Sequence, residues 1–503
     1  MIGRKFKQGE PEDKKVKRSL RFSILDGSFY NIMDGFTISF ITPYALFLKA
    51  SSFVISLLVS MPDLLASFFQ LSAIKVSEVF KSKKLIIVFS AFLHALLWLP
   101  ILFIPKIAPP EKQGLYLVVF VTLIAMISSF AGPLWRGLMG ELVAEHERGS
   151  FFSKRNKITA LVCFVSTLLA GIILQHFSVT NPFFGFTILL AVAFVTRIIS
   201  AAFLLLMYEK KSIPTARFRE KNVFTLRKFL VNLRSSDYGK FVLVICLFRI
   251  AVSIASPFFA VYELSTLHFS YLQFTIMTAV EIMSTFAFMG LWGKINDEKG
   301  SKIVILICGL LIPFVPLLYL VSTKYFFLMA VTILSGAAWG GFNLAVGNFM
   351  FDASNSENRI RYVAYFNLLH GISAFLGAGL GGLLLKLPMV SIPTLFLVSG
   401  LLRLAIAFFL FPALREMRII TVSFDRRLFN YSLFIKPRQG FVEDPFDYYM
   451  AYEKKTNMPR PKLYIDKQFL DDLPDEDSFE EKVKDHAKYK NFIQNLVDNM
   501  KKK

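Results

Sequence analysis

Long apolar segments alternate with short polar ones along the chain up to about residue 414. A helix needs roughly 20 mostly apolar residues to cross a bilayer, and twelve segments of this length occur. Their length and continuous apolar character predict twelve membrane-spanning helices, which we number as spans 1 to 12. In chain order the spans cover residues 22–48, 52–78, 84–105, 114–139, 158–178, 183–208, 240–264, 270–293, 303–322, 325–350, 362–387 and 392–414.

The longest polar stretch between spans divides them into two sets of six. We therefore predict an N-terminal six-helix half at 1–208, a cytoplasmic linker at 209–239, a C-terminal six-helix half at 240–414 and a cytoplasmic tail at 415–503. In the linker, an apolar stripe is either an amphipathic piece on the membrane surface or part of a solvated linker. That stripe consists of Phe224, Leu226, Phe229, Leu230 and Leu233.

The tail contains a second amphipathic pattern. Ser478 and Glu481 have the spacing of a capping box, and an apolar stripe from Phe479 to Val497 follows them. This pattern predicts an amphipathic cytoplasmic helix, with a solvated tail as the alternative.

A pattern of polar residues occurs twice, about 210 to 220 residues apart. The first copy contains Ser39, Thr42, Pro43, Lys75, Glu78, Ser82, Lys83, Glu141, Arg148 and Asn156. The second copy contains Ser253, Ser256, Pro257, Lys294, Asp297, Ser301, Lys302, Asp352, Arg359 and Asn367. Because order, chemistry and loop context agree, the two copies indicate a duplicated multi-helix unit, which is how many secondary transporters are built.

Composition and charge placement agree with a membrane protein. Of 503 residues, 54% are hydrophobic and 55 are Phe, which is more apolar surface than a soluble globular protein buries. The net charge of +21 does not indicate nucleic acid, because loops after even-numbered spans carry 22 Lys/Arg and the opposite loops only 5. By the positive-inside rule, the basic loops and both termini are cytoplasmic. We expect a multi-pass protein of the plasma membrane, bound to the lipid bilayer as a monomer.

No cofactor, metal site or disulfide framework is expected. The first apolar segment is too long for a cleaved signal peptide, and Cys163, Cys246 and Cys308 all lie inside predicted spans. The chain lacks metal-ligand spacing, a nucleophile elbow and a phosphate loop, so neither an enzyme nor an ATP-driven pump is expected.

The loop between spans 8 and 9 reads Gly293-Lys-Ile-Asn-Asp297-Glu-Lys-Gly300-Ser-Lys302. Together with two six-helix halves and a basic central loop, this signature resembles the major facilitator superfamily, over about residues 20 to 414. The resemblance implies an all-α membrane fold of twelve helices in two pseudo-symmetric halves. It also implies that Asp297 and Lys302 act in a cytoplasmic gate, with Gly293 and Gly300 allowing a close helix approach and a tight turn.

Other gate residues follow from the repeat. The loop between spans 2 and 3 keeps the charge order through Glu78 and Lys83, although Ile74 and Lys81 replace the glycines of the signature. The later repeated residues are expected to complete the gate network rather than bind substrate; they are Glu141, Arg148, Asp352 and Arg359, with Asn156 and Asn367. Span 5 lacks the Gly/Pro-rich motif of antiporter branches, and five glycines of span 11 are expected to serve tight helix packing.

Ionisable residues inside spans are the candidates for a central site, because charge at mid-bilayer is costly. Asp34 in span 1 and Arg249 in span 7 lie at similar depth under the repeat offset. Since the resemblance implies that helices 1 and 7 face each other, we expect Asp34 and Arg249 to pair or to share a substrate. A static structural ion pair is the alternative.

Asp63 in span 2 and Glu281 in span 8 also correspond in the repeat. A buried acid without a nearby base can hold a proton at neutral pH, which makes either residue a candidate for proton coupling. A carboxyl group that merely caps or bonds to neighbouring backbone is the alternative.

Polar side chains on other spans extend the predicted cavity. Tyr30 shares a polar helical face with Asp34, and span 10 offers Trp339 and Asn343. Arg197 and Arg403, the charges of the last span in each half, are expected to snorkel or to pair with neighbours.

The sequence therefore favours a secondary active transporter of a small solute, working by rocker-switch alternating access, with protons as the candidate coupling ion. An efflux protein for lipophilic compounds and a non-transporting receptor or scaffold stay open. Substrate and direction are not specified by one sequence.

Overall fold

The computed structural model describes residues 12–79, 82–144, 147–209, 226–352 and 359–416, and all regular secondary structure within these ranges is helical. The predicted tail helix after Ser478 lies outside these residues. The α-helices are, in chain order, α1 (Glu12–Thr37), α2 (Ile41–Phe47), α3 (Ser52–Val79), α4 (Lys83–Leu96), α5 (Trp98–Ile107), α6 (Gln113–Leu142), α7 (Arg148–Phe177), α8 (Pro182–Leu206), α9 (Leu226–Val231), α10 (Asp237–Ala255), α11 (Phe259–Val261), α12 (Tyr271–Lys299), α13 (Ser301–Leu311), α14 (Phe314–Leu318), α15 (Tyr325–Asp352), α16 (Arg359–Leu384) and α17 (Ile392–Phe409).

Among the described residues, 11 helical segments are long and apolar enough to cross a membrane, and they coincide with predicted spans 2 to 12. They are Ser52–Leu71, Lys83–Ile107, Pro110–Leu142, Ser150–Phe177, Pro182–Leu206, Asp237–Thr266, Tyr271–Lys299, Ser301–Leu318, Tyr325–Met350, Arg361–Leu384 and Ile392–Ala413. Span 1 is helical but is not among them, because Arg21, Asp26, Asn31 and Asp34 interrupt its apolar character. The twelfth crossing therefore stays a prediction.

The polar face of span 1 is turned into the protein. Ser19, Ser23 and Asp26 of α1 are buried, whereas the apolar Leu25 is 40% exposed. α1 packs against α7 and α8. A helix that buries hydroxyl and carboxylate groups needs hydrogen-bonding partners in its neighbours, so this packing predicts a polar network inside the first six spans.

Both copies of the repeated proline lie at a break in a helix. A 3₁₀ turn at Ile38–Phe40 separates α1 from α2, which contains Pro43. The 3₁₀ turn Ser256–Phe258 contains Pro257 and separates α10 from α11. Proline has no N–H to donate and its ring clashes with the preceding helical turn. The two copies therefore share a local structure, as expected of a duplicated unit.

Two helix seams join residues 12–209, here called the N-half, to residues 226–416, the C-half. α3 packs against α16, and α7 packs against α12. The N-half and C-half share an apolar cluster at one end of these seams, where Phe36 and Tyr44 meet Phe258 and Val261. We call this the outer end; it holds the loops at 48–51, 178–181, 267–270 and 385–391.

The opposite end, here called the inner end, contains two separate clusters. One cluster surrounds Leu138 and Leu204 in the N-half, and the other surrounds Phe241 and Phe349 in the C-half. The apolar packing that bridges the halves is therefore concentrated at the outer end. The inner end holds the basic loops that the sequence places in the cytoplasm.

Glycines of span 11 allow close helix packing, as predicted. A Cβ atom at Gly371 would lie 2.9 Å from the carbonyl oxygen of Asp63, and one at Gly382 would overlap Ser56 Oγ. Gly377 and Gly381 abut the backbone of α10 in the same way. α16 thus contacts both α3 of the N-half and α10 of its own half through small residues.

One residue of the apolar stripe in the linker packs against the C-half. Leu226–Val231 forms α9, and Phe229 is 2% exposed. Its ring lies 5.4 Å from that of Tyr365 and 6.1 Å from that of Tyr238. Phe229 is therefore covered by protein, whereas Leu230 of the same stripe is 45% exposed, and a membrane-surface position for the rest of the stripe stays a prediction.

Candidate functional site

An ion pair joins the two halves midway along spans 2 and 7. Arg249 Nη2 on α10 lies 3.1 Å from Asp63 Oδ2 on α3. The Arg249 side chain is 25% exposed and that of Asp63 is 54% exposed. Both residues lie in the middle of a span. Because charged groups facing lipid at that depth are costly, we interpret the exposed pair as lining a cavity between the halves. The pair predicted between Asp34 and Arg249 is wrong in this structure, since Asp63 is the partner of Arg249.

Asp34 belongs instead to a polar network inside the N-half. Its charged neighbour is Arg197 of α8, which is 6% exposed. Arg197 Nη1 donates to Ser200 Oγ at 2.7 Å, and Ser200 in turn donates to Asp26 Oδ1 at 2.7 Å. The guanidinium also stacks 4.8 Å from the Tyr30 ring centroid. Tyr30 and Asp34 therefore share a neighbour, as their helical spacing indicates.

A second arginine completes the N-half network. Arg155 Nη2 of α7 lies 4.0 Å from Asp26 Oδ2, and its Nε donates to the carbonyl of Ser23 at 3.2 Å. Any Cβ at Gly27 would overlap this guanidinium, so glycine makes room for it. Two arginines and two aspartates thus balance each other within the N-half.

The C-half holds a buried arginine at the corresponding place in its last span. Arg403 of α17 is 2% exposed. Its Nε donates to Ser399 Oγ at 3.0 Å and its Nη2 to the carbonyl of Val252 at 3.1 Å. Both acceptors are neutral, and the charged neighbour of Arg403 is Arg249. The C-half therefore lacks the charge balance of the N-half at this position.

Two carboxyl groups of the C-half are bound by hydroxyl groups. Glu281 Oε1 of α12 accepts from Ser335 at 2.7 Å. Glu263, which lies in a π-helical turn at Tyr262–Thr266, accepts from Tyr319 at 2.6 Å. Asp63 was expected, like Glu281, to be an acid without a base; that expectation is wrong because Arg249 contacts it. Glu281 remains a candidate for proton binding, and Glu263, which the sequence analysis did not name, joins it.

The remaining cavity candidates lie on α15. Asn343 is exposed, and Trp339 is partly buried with its ring 5.8 Å from that of Phe342 in an edge-on arrangement. Phe342 packs in turn 5.2 Å from Phe248, the neighbour of Arg249 in sequence. α15 therefore borders the helix that carries Arg249.

The signature loop forms the predicted tight turn. Gly300 has φ +85°, a conformation that favours glycine, and joins α12 to α13. The backbone N–H of Lys302 donates to Glu416 at 2.7 Å. Asp297 lies in the last turn of α12. A Cβ at Gly293 would meet no atom within 4 Å, so the close helix approach expected there is absent in this conformation.

The residues of the first repeat that were predicted to form a gate make contacts within the N-half. Lys83 forms an ion pair with Glu141, and Arg148 Nη2 donates to the carbonyl of Gly140 at 2.9 Å. Asp352 ends α15 and is exposed. The side chains of Glu78 and Arg359 lie outside the described part of the chain.

Arg197 and Arg403 were expected to snorkel or to pair with neighbours, and both are buried among hydrogen-bonding partners; Glu263 was not among the predicted site residues. Each arginine interrupts an otherwise apolar span and has a serine within one helical turn, at Ser200 and Ser399. Glu263 lies at the very end of predicted span 7, where a charge is ordinary. In the described residues, no group of three or more His, Cys, Asp or Glu side chains could hold a metal ion.

Comparisons with known proteins agree with this architecture. A sequence comparison with curated proteins gives no significant match. Among solved structures, a mutant of the nucleoside transporter NupG has a TM-score of 0.62 at 15% identity and covers 79% of this chain and 100% of its own. A D-xylose-proton symporter has a TM-score of 0.59 at 14% identity, covering 80% of this chain and 98% of its own.

A third solved structure and a family profile extend the match. A bacterial homologue of the iron transporter ferroportin, in an inward-facing state, has a TM-score of 0.58 at 13% identity, covering 80% of this chain and 98% of its own. At these identities the likeness shows the fold alone. The profile of the Major Facilitator Superfamily matches residues 27–290 and 241–426. The chain therefore belongs to the Major Facilitator Superfamily of membrane transporters.

Proposed function

We propose that this protein is a secondary active transporter in which the N-half and C-half rock about a central site to move a small solute. The observation that carries the proposal is the Arg249–Asp63 pair, which joins the halves in mid-span and is partly exposed there. An ion pair between two moving bodies contributes different free energies to two conformations, so a solute that competes for it can shift their populations.

The packing supports an inward-open arrangement. Apolar packing between the halves is concentrated at the outer end. There the Leu272 N–H also donates to Gln175 Oε1 at 3.2 Å, and Lys386 Nζ lies 4.3 Å over the Phe53 ring. Toward the inner end, Asn367 Nδ2 of α16 donates to Gln70 Oε1 of α3 at 3.2 Å. At the inner end, the clusters of the two halves are separate. In the opposite state the outer contacts would open and the inner end would close.

We propose that the predicted gate residues act in the state in which the inner end is closed. We assign Asp297 and Lys302 of the signature loop, with Gly293 and Gly300, to closing the inner end. Gly293 faces open space at present, which leaves room for a neighbouring helix to approach. Glu78, Lys83, Glu141, Arg148, Asp352 and Arg359 would complete the same gate.

Protons are the proposed coupling ion, with Glu281 and Glu263 as the binding groups. Ser335 donates to Glu281 and Tyr319 to Glu263, and the titratable groups around them are each other, Tyr319 and Tyr262. A carboxyl group bound by a hydroxyl group is easier to protonate than one paired with a cation, because a cation stabilises the carboxylate form. We expect the populations of the two states to change between acid and neutral pH, and to change less in Glu281→Gln and Glu263→Gln.

Distances between spin labels test the two-state proposal. An outer pair at Val179 and Met389, which are 91% and 94% exposed, and an inner pair at Ser150 and Glu298 each join the two halves. The native cysteines are first replaced. Double electron–electron resonance (DEER) in lipid nanodiscs should give two populations for each pair, with opposite changes at the two ends. A single invariant distance at both ends, at acid and at neutral pH, would refute alternating access.

The same labelled sites test the orientation. We propose that the protein lies in the plasma membrane with the inner end and both termini in the cytoplasm, which the basic inner loops support. A membrane-impermeant thiol reagent added to intact cells should label Val179→Cys and leave Ser150→Cys unlabelled. The reverse labelling pattern would invert the assignment.

A further inference from the structure

The charges around Arg249 do not balance. Arg249 and Arg403 are neighbours, and Asp63 is the one carboxylate that the described contacts bring to them. Arg403 is 2% exposed and donates to two neutral oxygens, those of Ser399 and Val252. A buried guanidinium without an anionic partner is costly in a protein interior. The cluster therefore has an excess of one positive charge.

The bond between Arg249 and Asp63 also leaves donors of Arg249 unused. Asp63 accepts from Nη2 alone, at 3.1 Å, and Arg249 Nε is buried without a hydrogen bond. A guanidinium carries five N–H donors in a planar fork that fits two oxygens of a carboxylate or phosphate. The bond to Asp63 therefore uses only one of the N–H donors of Arg249.

The N-half provides an internal contrast. Its buried arginine, Arg197, reaches Asp26 through Ser200 and has Asp34 as a further charged neighbour. The duplicated fold thus supplies acids to the arginine of one half and not to that of the other. The excess charge beside Arg249 is therefore a specific feature of the C-half.

The site is open to an anion from the surface between the halves. Arg249 of α10 is 25% exposed at that surface. Arg403 is more deeply buried, and it donates to the carbonyl of Val252, which lies one turn from Arg249 on α10. His370, on α16, also neighbours Arg249. An anion would therefore contact Arg249, and Arg403 would strengthen the positive potential there without contacting the anion.

We propose that the transported solute carries a carboxylate or phosphate group that binds Arg249 and displaces Asp63 from it. This inference rests on the proposed transport function and names its substrate class. Release of Asp63 removes the ionic link between the halves, so that binding of the anion and loosening of the seam occur together. Arg403 is a positioning residue in this scheme.

Thermal unfolding of the purified full-length protein in detergent tests the proposal. The probes are matched pairs of an anion and its neutral analogue: benzoate and benzamide, nicotinate and nicotinamide, glucose 6-phosphate and glucose, AMP and adenosine. A ligand that binds only the folded state raises the melting temperature. We expect at least one anion to raise it and its neutral analogue not to; the carboxylate and phosphate pairs distinguish the two anion types.

Variants identify the site of binding. For the stabilising anion, Arg249→Gln should weaken the apparent Kd by at least about 10-fold, the size of a charge-assisted bond. Arg403→Gln should weaken it by a smaller factor, because Arg403 acts on the anion only through the local potential. Asp63→Asn should strengthen it, because the internal competitor is removed. Lys240→Gln, which removes an exposed charge from the inner end of the same helix, is the control and should change little. If Arg403→Gln does not fold, Arg249→Gln carries the test and Arg403→Lys should retain binding.

Three outcomes overturn the proposal: no anion raises the melting temperature, neutral analogues raise it equally, or the effect of the anion survives in Arg249→Gln. None of these affects the distances between spin labels. If both label pairs still report two populations, transport by alternating access stands and only the anionic substrate class fails.

Discussion

Replacing Gly171 with alanine should open the outer end of the protein. Gly171 of α7 packs against Thr275 of α12 across the seam between the halves. An added Cβ would overlap Thr275 Oγ1 and lie 2.5 Å from Thr275 Cβ, whereas ordinary contacts begin near 3.4 Å. Thr275 is 0% exposed and its hydroxyl donates to the Tyr271 carbonyl at 2.7 Å, so it has little freedom to move aside.

The overlap gives the magnitude of the effect. Overpacking by one methyl group in a tightly packed contact costs about 1–3 kcal/mol. The overlap destabilises the inward-open state but not a state in which the outer end has separated. The population of the separated state relative to the inward-open state should therefore rise about 5- to 150-fold. The gain in helix propensity from Gly to Ala is the same in both states and cancels.

DEER between labels at Val179 and Met389 measures this population directly. We expect the long-distance fraction to grow in Gly171→Ala and the inner-pair distance to shorten. Gly290→Ala is the matched control, since a Cβ at Gly290 of the same seam helix α12 would meet no atom within 4 Å. If the distances in folded Gly171→Ala equal those of the Gly290→Ala control, the contact between Gly171 and Thr275 does not determine how far the outer end opens.

Three further changes probe single contacts of the fold. Gly300→Ala places a side chain at φ +85° and should destabilise the protein by about 1 kcal/mol or more, seen as a lower melting temperature; an unchanged melting temperature would argue against a tight turn in the signature loop. Tyr44→Phe removes a buried hydroxyl that donates to the Ile101 carbonyl at 3.0 Å and should cost about 1 kcal/mol, and no loss of thermal stability would contradict that bond. Phe229→Ala should release α9 from the C-half, so limited proteolysis should cut near 226–231 faster than in the unmodified protein; an equal rate would count against docking of α9.

Much of the fold was predictable because it depends on properties that a sequence displays directly. The length and apolar character of a span determine whether it can cross a bilayer, and spans 2 to 12 lie where the sequence predicts them. The repeated Pro43 and Pro257 both break a helix for the same steric reason. Four of the five glycines of span 11 pack closely, as expected without knowledge of the neighbouring helices; a Cβ at the fifth, Gly379, would meet no atom within 4 Å.

The pairing of charges was not predictable in the same way. The repeat offset gives the depth of Asp34 and Arg249 in the membrane but not the direction of their side chains. Each residue along a helix turns that direction by about 100°, so an offset uncertain by one residue leaves the partner undetermined. Asp34 is in fact directed to Arg197 within the N-half, and Arg249 reaches Asp63 on α3.

The partners of Arg403 were hidden for a different reason. They are a serine hydroxyl and a backbone carbonyl, at Ser399 and Val252, and neither differs in sequence from the many others in these spans. A buried charge bound by neutral groups becomes visible only when the helices are placed together. The excess positive charge beside Arg249 could be recognised only from that placement.

Reversing the charges of the Arg249–Asp63 pair shows whether this pair links the movement of the two halves. Asp63→Arg places two cations against each other between α3 and α10, and we expect the outer label distance to lengthen and the inner one to shorten. Combining Asp63→Arg with Arg249→Asp rebuilds the pair in the opposite sense and should return both distance distributions toward those of the unmodified charges. If both label pairs stay unchanged in Asp63→Arg, or if the double variant restores neither end, the ion pair does not link the movement of the two halves.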